Sequence, residues 1–150
     1  MRRQIVALGA LLLGTLVPVA TARAQQPADA VTLLAPSAIT GWSEGGTSGI
    51  AGIDLYGNLD STGHYVARTR FAPGRGIGPH HHARTTTITV LQGRLHLGIG
   101  AQVDSSAAHA YPPGSFLVIP AGVPHFEWGE GETVIQLSGM GPLGYTRRAP

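Results

Sequence analysis

The sequence contains no cysteine, so disulfide bonds cannot hold its fold together. This absence also excludes iron–sulfur clusters, thiolate zinc sites and a cysteine nucleophile. Any bound metal ion must therefore be held by nitrogen and oxygen ligands. The 150 residues amount to one domain, whose stability must come from core packing alone.

Long apolar runs are also scarce, and the one candidate lies at residues 5–17. Its 13 residues are too few for a membrane-spanning helix, which needs about 20. The run follows the basic start Met1-Arg2-Arg3 and precedes Ala22-Arg23-Ala24, whose small residues are typical of a signal-peptidase site. We expect a signal peptide over residues 1–24, an N-terminal arm over residues 25–40 and a single domain over residues 41–150. A retained membrane anchor is the alternative interpretation.

Charged residues make up only 12% of the chain, and none of them is lysine. Removal of Arg2, Arg3 and Arg23 with the leader would leave seven of the ten basic residues against eight carboxylates, a net charge of about −1. No basic stripe with interleaved aromatic residues remains, which excludes nucleic acid as a partner. We therefore expect a periplasmic or secreted protein with a small-molecule partner and no membrane contact after cleavage.

Helical periodicity is missing, because no segment keeps a 3.6-residue apolar period for three turns. Short apolar or alternating runs instead predict strands at residues 50–56, 64–71, 85–91, 95–99, 115–119 and 133–137. Turn residues such as Pro73-Gly74 and Gln92-Gly93 separate these runs. Several short strands at nearly regular spacing predict an all-β domain, either a sandwich or a barrel.

Histidine is the residue type that points to chemistry. His80, His81 and His82 follow one another, and His125 comes directly after the proline-framed turn at residues 120–124. In a strand, residues i and i+2 face the same side, so His80 and His82 point one way and His81 the other. Two imidazoles at that spacing can converge on one ion, and His125 would supply a third. The alternative is a polar loop at the triplet and a structural, packed His125.

These segments resemble the two motifs of the cupin family. The first motif is Gly, five residues, His-x-His, three or four residues, Glu, six residues and Gly, and it is matched by Gly74, His80, His82 and Gly93. The second is Gly, five residues, Pro-x-Gly, two residues, His, three residues and Asn, and it is matched by Gly114, Pro120, Gly122 and His125. The resemblance covers about residues 66–139. It implies a single-domain cupin barrel, a double-stranded β-helix or jelly roll, with one divalent metal ion held inside by the motif histidines.

Two positions depart from the cupin pattern. Thr86 stands where the first motif has its glutamate ligand, with Thr85 and Thr87 on either side, and Gly129 stands where the second motif has Asn. A threonine hydroxyl is a weak ligand for a divalent ion. The resemblance therefore implies a site of three histidines, with Thr86 beside them or as a weak fourth contact, completed by water or substrate. A degenerate cupin that has lost its metal is the alternative.

Loss of the glutamate has an electrostatic consequence. Three imidazoles are neutral, so the ion would keep its full +2 charge and would favour anionic, chelating ligands. Iron, manganese, copper, nickel and zinc all suit such a site. Export weighs against iron(II), which is harder to keep reduced outside the cytoplasm.

Two more residues are candidates for catalysis. Glu127 lies two residues after His125 and would share its inward face, as a general base or as a replacement carboxylate ligand. Gln136, in the apolar run 133–137, would hydrogen-bond a ligand if it pointed inward. A solvent-facing position at the end or edge of a strand is the alternative for each residue.

The resemblance implies a metal-dependent enzyme of the dioxygenase type that acts on a small, anionic molecule. A redox-neutral lyase or isomerase and a non-catalytic protein that binds a ligand or a metal remain as alternatives, because this fold hosts many chemistries. A homodimer is a further expectation, since barrels with exposed edge strands often pair.

Overall fold

The computed structural model describes residue 31 and residues 33–147. The expected leader and residues 25–30 and 32 of the expected arm lie outside the described residues, so both stay predictions. The chain from Leu34 onward forms one structural unit. Within the described part of the chain, no helix has the length and apolar character needed to cross a membrane.

Strands make up nearly all the regular structure, which confirms the all-β prediction. Two single 3₁₀ turns, at Pro36–Ala38 and Ser105–Ala107, are the helical elements among the described residues. The strands are β1 (Ser43–Glu44), β2 (Ile50–Tyr56), β3 (Gly63–Phe71), β4 (Gly76–His82), β5 (Thr86–Ile99), β6 (His109–Tyr111), β7 (Phe116–Ile119), β8 (His125–Gly141) and β9 (Tyr145–Arg147).

All ladders are antiparallel and belong to one curled sheet. Its main path runs β1-β2-β3-β8-β4-β9, and β5 attaches β6 and β7 to β8. The long strand β8 is central because its first half pairs with β4 and its second half with β3, while β5 follows it along both halves.

The predicted turn at Gln92-Gly93 is instead an irregularity within one strand. Residues 85–91 and 95–99 were expected as two strands, but β5 runs through both with register shifts on either side of Gln92. Gly93 adopts a positive φ of 71° there, and a Cβ at this position would collide with the backbone carbonyl of Glu132 and with Thr133. Glycine thus lets the strand bend without ending it.

The core lies on the inner face of the sheet and follows the two-residue alternation of the strands. On β8 the buried residues Ile135 and Leu137 alternate with half-buried neighbours, and the same pattern occurs on β3 and β5. The largest fully buried side chains of this core are Tyr65, Phe71, Ile88, Leu95 and Ile135. Full burial of an aliphatic or phenylalanine side chain contributes about 1.5–3 kcal/mol.

A bulge in β4 brings the histidine triplet into register with this inner face. Ile77 pairs with Glu127 and His80 pairs with His125, so three steps on β4 match two steps on β8. The extra residue falls next to Pro79, which has no N–H to donate to a ladder. The bulge keeps both Ile77 and His80 on the inner face, and His82 follows by alternation.

Candidate metal centre

Three histidines converge on the inner face where β4 meets the start of β8. His80 and His82 come from β4, and His125 is the first residue of β8, directly opposite His80. All three are buried, and one ring nitrogen from each lies within 4.8 Å of the other two. His81 lies between them on the opposite face, as the alternation predicts.

Backbone carbonyls orient two of the three rings. Nδ1 of His80 lies 3.0 Å from the carbonyl oxygen of Gly78, and Nδ1 of His125 lies 2.9 Å from that of Val123. Because a carbonyl only accepts, each Nδ1 must donate, which leaves Nε2 of a neutral ring with its lone pair free. Nε2 of His125 is buried and has no hydrogen-bond partner in the described structure. This is how metal-binding histidines are commonly held.

Burial keeps the imidazoles uncharged. Desolvation and the neighbouring His125 lower the pKa of His80 to about 4. Desolvation and the other two rings lower the pKa of His82 to about 3, and desolvation also lowers the pKa of His125. At neutral pH the cluster therefore offers three lone pairs and no protons to displace, a donor set that fits a divalent cation.

Thr86 lies inside the sheet, but its hydroxyl is bonded to protein groups. It is fully buried at the start of β5, where it donates to the carbonyl oxygen of Ser138 at 3.2 Å. Its oxygen lies 2.7 Å from the hydroxyl of Tyr65, which is also fully buried. With the threonine proton engaged by Ser138, Tyr65 is the donor in this pair. Contact between Thr86 and a metal ion stays a prediction.

Glu127 is the next inward residue of β8 after His125. Only 5% of its surface is exposed, which rules out the solvent-facing interpretation, and its Oε2 has no hydrogen-bond partner. Burial raises the pKa of Glu127 to about 7. Among the described residues, the cluster with metal-binding geometry contains the three histidines and leaves out Glu127. The carboxyl is therefore a neighbour of the cluster that can hold a proton near neutral pH.

Gln136 does not reach the histidines. Its neighbours Ile135 and Leu137 belong to the core, so alternation places Gln136 on the outer face of β8. There its side-chain oxygen accepts a hydrogen bond from Nε of Arg68 on β3 at 3.2 Å. This corrects the prediction that Gln136 binds a ligand inside the barrel.

Two residues on β9 lie beside the cluster and were not predicted from the sequence. β9 pairs with β4 so that Tyr145 is opposite His82 and Arg147 is opposite His80. The ring centroid of Tyr145 lies 4.9 Å from that of His80 and 6.2 Å from that of His82. A three-residue strand near the end of the chain has too short a pattern for its pairing to be predicted.

Comparison with known proteins places these features in a family context. A family model described as Cupin domain matches residues 67–137. Oxalate oxidase 1 of Hordeum vulgare is 36% identical over 78 residues, 49% of this chain and 39% of that protein. Germin-like protein 3-3 of Oryza sativa subsp. japonica is 33% identical over 92 residues, 57% of this chain and 40% of that protein. The chain thus spans about two fifths of the length of these curated relatives.

Solved structures share the fold. An oxalate oxidase structure aligns with a TM-score of 0.55 and 29% identity, over 72% of this chain and 60% of that one. A salicylate 1,2-dioxygenase mutant from Pseudoaminobacter salicylatoxidans, in complex with gentisate, aligns with a TM-score of 0.54 and 18% identity, over 65% and 26% of the two chains. At 18% identity the second likeness concerns the fold alone.

The burial of Glu127 predicts an unusual pH dependence of stability. Its pKa is near 4.5 in the unfolded chain and about 7 in the folded protein, so the folded state binds the proton more tightly. Stability from this group is present below pH 4.5 and is lost as the pH rises through 7. We compare the free energy of unfolding of Glu127→Gln with that of the wild type. The difference between them should change in favour of the variant by on the order of 3 kcal/mol as the pH rises from 4.5 to 8.

Urea unfolding of the metal-free wild type and of Glu127→Gln, at the two ends of this pH range, measures the difference in the free energy of unfolding. Glu130→Gln is a control of opposite sign, because a hydrogen bond from His96 lowers the pKa of the exposed Glu130. That variant should lose stability relative to the wild type as the pH rises toward 4.5, and the difference should then stay nearly constant up to pH 8. A Glu127→Gln difference that is the same at both pH values would contradict the account.

Proposed function

Since the chain belongs to the cupin superfamily, we propose that it is a metal-dependent enzyme of the dioxygenase type that acts on a small organic anion. The observation that carries this proposal is the cluster of three buried, uncharged imidazoles with no carboxylate among them. His80, His82 and His125 would hold one divalent ion, with iron, manganese, copper, nickel or zinc as candidates. Such an ion supplies a binding position for an anion and acidifies a bound hydroxyl group.

The charge of the site supports an anionic substrate. Neutral ligands leave the +2 charge of the ion uncompensated, and a single carboxylate ligand would halve it. The surrounding interior has a low dielectric constant, which strengthens the attraction for an anion. Oxalate, the substrate in the name of the similar oxalate oxidases, is a small organic anion.

The chain's own residues have distinct roles in this proposal. Gly78 and Val123 orient two of the ligands through their carbonyl oxygens. Glu127 can take a proton from a substrate hydroxyl or return one, because its pKa lies near neutral pH. The buried residues Leu95 and Leu97 lie opposite Gly129 and Glu127 on β8 and form an apolar wall beside the carboxyl.

A redox-neutral lyase or isomerase is the second candidate, and Glu127 is the observation that favours it. A buried carboxyl with an unpartnered oxygen is suited to proton transfer at carbon, which needs no oxidant. In this reaction the metal would act as a Lewis acid. A protein that binds a ligand or a metal without turnover is the third possibility.

Location and assembly also belong to the proposal. The N-terminal pattern supports export to the periplasm or beyond, with residues 1–24 as the leader. The short strands β1, β6, β7 and β9 each pair on one side only, and such edges support a homodimer.

Metal content is the first test of this proposal. We expect the purified protein to carry about one equivalent of a divalent metal, and His80→Ala and His125→Ala to lose nearly all of it, since two ligands bind a divalent ion far more weakly than three. His81→Ala is the matched control because its ring points away from the cluster, and it should keep the metal. Elemental analysis measures all three variants. Equal loss in all three would contradict the site.

Oxygen dependence tests the type of reaction. We expect the metal-loaded protein to consume oxygen with at least one small anion from a panel of oxalate, gentisate, lactate and mandelate. His125→Ala should reduce the rate to background, and His81→Ala should leave it unchanged. An oxygen electrode combined with product analysis makes the measurement. Product formation without oxygen uptake would contradict the dioxygenase assignment in favour of the redox-neutral reaction.

A further inference from the structure

The pairing of β9 with β4 directs two polar side chains to the same face as the histidines. Residues directly opposite each other on antiparallel strands project to the same side, with Cβ atoms about 4.5–5.5 Å apart. Arg147 is opposite His80, and Tyr145 is opposite His82. Both β9 residues are exposed although the histidines are buried. They therefore lie on the solvent side of the cluster, between its buried rings and the protein surface.

Two contacts hold the guanidinium of Arg147 in place. Its Nε donates to the hydroxyl oxygen of Tyr145 at 3.3 Å, and its Nη2 donates to Oγ1 of Thr47 at 3.0 Å. Tyr145 is itself packed against the ring of His80. Since a guanidinium carries five N–H groups, three remain for a ligand. This arrangement orders the side chain before a ligand arrives, which reduces the entropy lost on binding.

The charge of Arg147 is not neutralised within the described structure. The ion pairs found there are those of Glu130 with Arg94 and with His96, and Arg147 takes part in neither. The positive charge of Arg147 is close enough to the cluster to contribute to the lowered pKa of His80. An ordered cation beside three uncharged imidazoles, with no carboxylate paired to it, attracts an anion.

A pocket adjoins this arginine. Its volume is about 570 Å³, which is within the usual range for small-molecule sites. Arg147 and Gln102 are polar lining residues, and Pro79, Ala101 and Val103 give an apolar wall. The three imidazoles are not part of the lining. Two lining residues are linked to the cluster: Arg147, which is opposite His80 in the ladder, and Gly78, whose carbonyl oxygen accepts from His80.

We propose that Arg147 binds the carboxylate of a substrate that reaches the three histidines and whose apolar body occupies the adjoining pocket. The substrate class is then an organic carboxylate larger than oxalate, with an aromatic or branched aliphatic group. This inference rests on the proposed function, because it places the reacting end of the substrate at the metal. In this inference, selection for a negatively charged substrate comes from Arg147 on β9, which lies outside the two histidine motifs.

Binding to cobalt(II)-loaded protein tests the inference without relying on turnover. The probes are mandelate, its uncharged amide mandelamide, and lactate, which lacks the ring, and the visible absorption of cobalt reports their binding. Arg147→Gln should weaken mandelate about 10- to 100-fold, as expected for a lost charge-assisted hydrogen bond, and should change mandelamide by less than about threefold. Mandelate should bind more tightly than lactate to the wild type, because its ring enters the pocket.

Two further variants serve as controls. Arg94→Gln removes the same charge from an exposed arginine that is paired with Glu130. Arg94 lies five ladder pairs away from His125 along β5 and β8, so this variant should bind mandelate like the wild type. Arg147→Lys keeps the charge but not the fork of donors, so its affinity should fall between those of the wild type and Arg147→Gln.

Several outcomes would overturn the inference. One is an Arg147→Gln variant whose affinity for mandelate stays within about threefold of that of the wild type. Another is a variant whose affinities for mandelate and for mandelamide fall equally. Equal affinities of the wild type for lactate and mandelate would contradict the claim that the apolar body of the substrate occupies the pocket. Metal content, measured on the same samples, reports separately on the proposed function. A wild type that cannot hold cobalt at the histidines would defeat that proposal, and calorimetric titration of the metal-free protein with mandelate would still test Arg147.

Discussion

Burial of three imidazoles on one face of a bent sheet is the constraint on which the rest of the site depends. Each ring is removed from water, and each lies close to the other two, so protonation of any one is unfavourable. An apolar core would normally exclude three such groups, because buried polar atoms without partners cost about 1–3 kcal/mol each. A divalent ion would offset this cost by accepting the three lone pairs at once.

A closed hydrogen-bond pair occupies the position where the first cupin motif has its carboxylate. Thr86 and Tyr65 bond to each other and to the backbone, so a neutral pair occupies part of the inner wall. Gly139 makes room for this pair, since a Cβ there would lie 2.9 Å from the tyrosine hydroxyl. The acidic group of the region is Glu127, whose burial favours the protonated form. The three imidazoles, Thr86 and Tyr65 are therefore uncharged at neutral pH, and Glu127 lies near the midpoint of its titration.

The sequence was sufficient to predict features that depend on local pattern. Alternation and turn residues predicted the all-β fold, and spacing placed His80 and His82 on one face with His81 on the other. It was insufficient where position depends on pairing between distant strands. Gln136 faces outward because its neighbours fill the core, and Arg147 reaches the cluster only through the ladder between β9 and β4. The bulge at Pro79, which aligns His80 with His125, is likewise visible only in the register of β4 against β8.

The central claim is that neutral nitrogen donors alone bind the ion. A crystal structure of the metal-loaded protein, with the ion located by its anomalous scattering, tests this claim most directly. The account predicts one ion bonded to a nitrogen of each of His80, His82 and His125 at about 2.0–2.2 Å, with no carboxylate of the chain among its ligands. An ion bound through Glu127, or histidine rings that remain without an ion at full metal loading, would contradict it.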